Sequence, residues 1–303
     1  MCFGPTFRVK SWRTQSRNSA AAKGVMAQPP PERIAGNLSF RNLGLRLRSA
    51  AVLAPPVYAA IYFGSPWFDI LIVIAGALMT WEWASMCSDG KFDLVGWLMG
   101  AGAAACLIAM FGGYPLLSLA AVMPVAGVVA LAGVARHHAS PARLALGTVL
   151  ISLFCLSFVW LRGIPGTGLE LVIWLVVAVW MTDAGGYFFG KIIGGPKLAP
   201  RISPNKTWAG LGGGVLFAMV WSVTALAWSE GYAIGALIAA AVGIALLAQL
   251  GDLAVSAVKR RFGVKDASGL IPGHGGVLDR LDGMLLTGPA AVFVLVLAAE
   301  GWI

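Results

Sequence analysis

Nine apolar runs separated by short polar breaks fill almost all of the chain after residue 48. They cover about 50–63, 67–87, 94–111, 115–134, 143–162, 169–189, 208–229, 232–257 and 284–303. Most approach the roughly 20 residues that a helix needs to cross hydrocarbon. Lipid offers no partner to backbone N–H and C=O groups, so each run must satisfy its own, which a helix does. The first run is short and holds Pro55 and Pro56, which predicts a kinked or re-entrant segment. Only 12% of the 303 residues are charged, against roughly 25% in a soluble domain, and 58% are apolar. A soluble globular protein, a disordered chain and a disulfide scaffold are all excluded. The expected fold is an all-α polytopic integral membrane protein with about nine transmembrane helices. Its many glycines and alanines predict close helix packing.

Charge sets the expected orientation. With the N-terminus in the cytoplasm and one crossing per run, 21 of the 22 Lys and Arg residues fall on the cytoplasmic side. Only Arg162 falls on the other, which is the bias expected of a membrane protein. The net charge of +9 then needs no nucleic-acid partner; anionic lipid is the natural one. Residues 1–48 carry nine of these cations, the single acid Glu32 and the run Pro29–Pro31. They are read as a basic, disordered cytoplasmic tail, and residues 49–303 as the transmembrane catalytic domain. A transit peptide, or an over-long start upstream of Met26, would have a similar composition. Cys2, Cys87, Cys106 and Cys155 show no metal-ligand spacing and are expected to be ordinary core residues.

The expected extracytoplasmic loops are very short, whereas two long polar loops, 190–207 and 258–283, face the cytoplasm. Chemistry on a polar molecule is therefore expected there. Three acids, Glu82, Asp183 and Asp252, lie inside apolar runs near that side. Each costs roughly 2.5–3.5 kcal/mol at mid-membrane, so each needs a reason. Glu82, between Trp81 and Trp83, fits either a bond to a neighbouring helix or a functional role. Asp183 shares a face with Gly186, Tyr187 and Gly190, and Asp252 shares one with Ser256 and Lys259. Both faces read as the wall of a polar cleft.

The last loop is the densest in chemistry. Lys259, Arg260, Lys265 and Arg280 suit phosphates, and Gly273, Gly275 and Gly276 free backbone N–H groups. Asp279 and Asp282, three apart, present oxygens to Mg²⁺ on one helix face. In the other loop, Ser203 and Thr207 are candidate caps of the next helix, with Lys206 beside them, and that is an anion site.

The stretch Ser256–Asp282 resembles the signature of the phosphatidate cytidylyltransferases, S-x-x-K-R, K-D, then H-G-G-x-x-D-R-x-D. Ser203–Thr207, S-P-x-K-T, is similar to the same family, and the likeness runs over about residues 45–303. Ala209 departs from it, since many members carry Glu there. The resemblance implies transfer of a cytidylyl group from CTP to phosphatidate, with Mg²⁺ as cofactor, in phospholipid biosynthesis. It implies catalytic roles for Asp279, Asp282, Lys259, Arg260 and His274. Substrate contacts fall to Ser203, Lys206, Thr207, Ser256, Lys265, Asp266 and Arg280, and the metal to Asp252, Asp279, Asp282 and Asp183. His274 fits a proton or hydrogen-bond donor and a structural turn equally. The expected setting is the bacterial inner membrane, among membrane lipid, with room for a homodimer. Rival readings are an ether-lipid cytidylyltransferase, a polyprenol kinase, or a transporter, although a transporter would place polar residues at mid-membrane and repeat one half in the other.

Overall fold

The computed structural model describes residues 48–49, 51–88, 90–226 and 234–300. The basic tail, the break near Ser229–Gly231 and the last three residues lie outside the described residues. The described residues form one compact unit. Its helices are α1 (Ala51–Phe63), α2 (Trp67–Cys87), α3 (Leu94–Phe111), α4 (Pro115–Ala135), α5 (Pro141–Arg162) and α6 (Gly168–Ile192). A hairpin of β1 (Lys197–Ala199) and β2 (Ser203–Thr207) follows, then α7 (Trp208–Leu226) and α8 (Ile234–Arg261). The short α9 (Leu278–Leu281) leads into α10 (Met284–Ala299). The chain is an all-α polytopic membrane protein. Among the described residues each of the nine apolar runs holds a helix, and seven of these helices are long and apolar enough to cross a bilayer; α1 and α10 are shorter.

Local chemistry explains the boundaries. Pro115 and Pro141 open α4 and α5, where a missing N–H costs nothing. Asp93 caps α3: its Oδ1 accepts from Val95 N at 3.1 Å and Gly96 N at 3.2 Å, and its Oδ2 lies 2.7 Å from His138 Nε2. Partial burial works to raise the Asp93 carboxyl, but the Gly96 and Val95 N–H groups and His138 outweigh it and hold it below the usual carboxylate range. Arg162, the one cation expected outside, donates from Nε to Ile61 O at 2.8 Å and from Nη2 to Tyr62 O at 3.0 Å. It thereby satisfies the last carbonyls of α1.

The core is built on α2, α3, α5 and α6, with Phe68, Met79, Trp83, Met99, Leu144, Ile151, Phe154 and Leu175 fully buried. Cys87, Cys106 and Cys155 are buried free thiols, as expected of core residues. Large apolar side chains such as Val52, Leu116, Met123 and Leu131 are exposed on α1 and α4, as suits a lipid-facing surface. The second expected loop begins later than read, because α8 continues to Arg261. The first contains the β-hairpin, with Lys197 paired to Thr207 and Ala199 to Ser203. Five residues with little apolar periodicity carry no strand signal of their own; the pairing is set by the tight turn at 200–202.

Gly147 is a tightly packed point of the core. A Cβ there would strike the Trp83 indole, whose Nε1 is fixed by a 2.9 Å bond to Arg143 O. Gly147→Ala is expected to destabilise by about 1–3 kcal/mol, as overpacking against a rigid ring does. Gly127→Ala, where a Cβ meets nothing within 4 Å, is expected to be neutral or stabilising. Thermal melting of both variants in detergent checks the contrast; equal shifts would contradict this packing.

Candidate active site

The last loop is folded around two carboxylates. Asp279, on α9, accepts from Lys259 Nζ at 2.7 Å through Oδ1 and from the N–H groups of Ala267 and Gly276, each at 2.9 Å, through Oδ2. This pair is deeply placed, with 8% of the Lys259 side chain and 4% of the Asp279 side chain exposed. Glu82, on α2 and fully buried, accepts from Ser268 Oγ at 2.6 Å, Val277 N at 2.9 Å and Leu278 N at 2.7 Å. Its partners therefore lie on the loop and the start of α9 rather than on a neighbouring spanning helix. The chain between them turns sharply: Ile271 N bonds Gly275 O at 2.8 Å, and Gly275 has φ +86°, a left-handed value that glycine adopts freely.

A second group of carboxylates lies beside this loop. Asp252 on α8 accepts from Ser256 Oγ at 3.0 Å and pairs with Lys206 Nζ at 2.5 Å. The i, i+4 stripe expected on that helix is thus realised as a hydrogen bond. Asp183 on α6 and Asp282 after α9 both lie within electrostatic range of Asp252 and of each other. The charge of Arg280 acts on Asp183, and that of Lys259 acts on Asp282. Burial, then Asp252, push the Asp282 carboxyl up to about 7, against the pull of Lys259. Three elements distant in sequence thus bring like charges together, and Lys206, Lys259 and Arg280 balance them. Among the described residues, no three His, Cys, Asp or Glu side chains are close enough to hold a metal ion as they stand. The donors are all carboxylate oxygens, the set that suits a hard cation such as Mg²⁺.

The other expected residues have defined places. Thr207 is buried and caps α7, its Oγ1 accepting from Gly210 N at 3.0 Å. Ser203 sits on β2 opposite Ala199, so it does not cap that helix. Arg260 is a strut: Nε bonds Ile202 O at 3.3 Å and Nη1 bonds Val264 O at 3.1 Å, tying the hairpin turn to the end of α8. Lys265 and Asp266 are exposed on the loop. His274 Nδ1 lies 2.8 Å from Ser49 Oγ, at the edge of the site. Gly190 and Gly210 pack α6 against α7 around Thr207 Oγ1, so they serve helix approach rather than the cleft wall. Two residues outside the expected site belong to its frame, Glu82 and Ser268. The one available signal was a carboxylate inside an apolar run.

Comparison with known proteins agrees with this picture. Residues 44–298 match the cytidylyltransferase family. A phosphatidate cytidylyltransferase of Brucella suis biovar 1 (strain 1330) is 35% identical over 255 residues, covering 80% of this chain and 90% of that protein. One from Rickettsia bellii (strain RML369-C) is 29% identical over 277 residues, covering 89% and 98%. One from Bacillus subtilis (strain 168) is 38% identical over 157 residues, covering 50% and 57%. The family match spans the hairpin, the carboxylate group and the pinned loop, and on that extent this chain belongs to the cytidylyltransferase family.

Proposed function

We propose that this chain transfers a cytidylyl group from CTP to phosphatidate, giving CDP-diacylglycerol and pyrophosphate. The observation that carries the reading is the meeting of Asp183, Asp252 and Asp282 with Lys206, Lys259 and Arg280, within a chain of the cytidylyltransferase family. Such a mixed cluster suits phosphates brought in with a divalent cation. The phosphatidate phosphate is the nucleophile; as a monoester with a second pKa near 6 it is largely dianionic at neutral pH. Its oxygen attacks the α-phosphorus of CTP, and the bond from that phosphorus to the bridging oxygen breaks, releasing pyrophosphate. No protein base is required, so the work of the site is holding two polyanions together in line.

Asp183, Asp252 and Asp282 are the residues that would hold Mg²⁺, whereas the oxygens of Asp279, expected among the ligands, are taken up by Lys259 and two amides, so Asp279 would act by holding Lys259 in place. When bound, the cation supplies neutralisation of phosphate charge. Lys206 and Lys259, which the carboxylates of Asp252 and Asp279 hold in place, are positioned to bind and orient the phosphates, with Arg280 at the exposed edge. The positive-inside bias supports a cytoplasmic position for this end of the bundle, where CTP is, in a bacterial inner membrane. The test uses sealed membrane vesicles with labelled nucleotide and phosphatidate. Inside-out vesicles are expected to form CDP-diacylglycerol from CTP and little product from UTP, and right-side-out vesicles are expected to form none. Equal use of UTP, or no lipid-linked product from either, would overturn the reading.

The carboxylates should separate by phenotype. Asp252→Asn and Asp282→Asn remove charge from partly accessible positions and should lower turnover at least ~100-fold with little change in melting. Asp279→Asn should lower turnover and also destabilise, by about 3–5 kcal/mol if Lys259 is left as an unpaired buried charge. Turnover measured beside melting curves checks this; an Asp279 variant as stable as the wild type would contradict the buried pair.

A further inference from the structure

We propose that Glu82 is a positioning residue for this reaction: it fixes the loop that carries Asp279 and Asp282 to the spanning helix α2. The inference rests on the function proposed above. Glu82 lies in an apolar helix, is fully buried, and accepts three hydrogen bonds from Ser268, Val277 and Leu278. Two of the donors are the N–H groups of Val277 and Leu278, at the entry to α9. Asp279 is the next residue, and Asp282 follows α9 directly. Fixing those two amides therefore fixes where both carboxylates start from.

The fit is close. A Cβ at Gly276 would lie 2.6 Å from Glu82 Oε1 and 2.8 Å from Oε2, so the carboxylate packs directly on this glycine. The tie is complementary to the one through Lys259. The Lys259–Asp279 pair anchors the loop to α8, and Glu82 anchors it to α2. A bond from an N–H to a buried carboxylate is charge-assisted and stronger than a neutral one, and its loss leaves the N–H groups without their acceptor. Removing Glu82 should thus release the segment Ser268–Leu278 while leaving the Lys259 tie in place. Phosphate-binding groups on or next to that segment would then lose their preorganisation.

The experiment compares Glu82→Ala, Glu82→Gln and Ser268→Ala with wild type, as full-length proteins in detergent. Hydrogen exchange without substrate reads the loop amides, and steady-state kinetics reads the KM for CTP. Glu82→Ala is expected to speed exchange over residues 276–279 at least ~10-fold and to raise the KM at least ~5-fold. A loss of folded enzyme alone would lower the maximal rate and leave the KM unchanged. Glu82→Gln should fall between, because its carbonyl accepts from Val277 and Ser268 while its amide N–H₂ faces the Leu278 N–H. Ser268→Ala leaves the spanning helix intact and should raise the KM about 2–3-fold with faster loop exchange. A wild-type KM or wild-type loop exchange in Glu82→Ala would overturn the proposal. If that variant does not fold, wild-type values in Ser268→Ala would do the same. A wild-type protein that does not turn over CTP would overturn the assigned reaction, and exchange would then decide the anchoring of the loop separately.

Discussion

A carboxylate buried among apolar helices must be met by donors, because losing water without replacement costs several kcal/mol. Glu82 and Asp279 are both met largely by one loop, through the amides of Ala267, Gly276, Val277 and Leu278 and the hydroxyl of Ser268. The need of two acids for partners thus becomes the force that orders an otherwise irregular segment. A loop with so many glycines would sample many conformations in isolation. Here its backbone polar groups are committed one by one, and the turn at Ile271–Gly275 closes between the two anchors.

What that order produces is a concentration of charge. Asp282 emerges from the pinned segment beside Asp252 of α8 and Asp183 of α6. Like carboxylates do not gather without compensation, and Lys206, arriving on β2, gives Asp252 a counter-charge. The hairpin therefore has an electrostatic role as well as a connecting one, and Thr207 at its end starts α7 in the right place. Arg260 holds the hairpin turn against α8, so the ammonium of Lys206 is aimed from a braced support. The chemistry proposed for the site needs such preorganised opposite charges, because phosphate-to-phosphate transfer is limited mainly by repulsion and alignment.

The fold was legible because apolar run length and turn residues are local. The spans at Trp67–Cys87 and Leu94–Phe111 coincide with the runs as read. Part of the candidate site's geometry was legible too, because Asp252, Ser256 and Lys259 share a helix face that spacing alone defines. The β-hairpin was not, since its pairing depends on neighbours rather than on its own pattern. Nor was the division of labour among the acids. Asp279 and Asp282 look equivalent at i and i+3, yet one meets a buried ammonium and two amides while the other meets Asp252 and Asp183. The link from Glu82 to Leu278 spans 196 positions, and nothing in the sequence of either segment announces the other.

The proposed function makes the carboxylates around Asp252 and Asp282 the meeting point of a divalent cation and the nucleotide phosphates. Its most direct test is a titration of the purified protein with Mn²⁺ in the presence of CTP, followed by electron paramagnetic resonance. Saturable Mn²⁺ binding is expected that weakens at least ~10-fold in Asp252→Asn and in Asp282→Asn, and that is unchanged in Asp93→Asn, whose carboxylate caps α3 and meets His138. Wild-type Mn²⁺ affinity in both the Asp252 and Asp282 variants would contradict it.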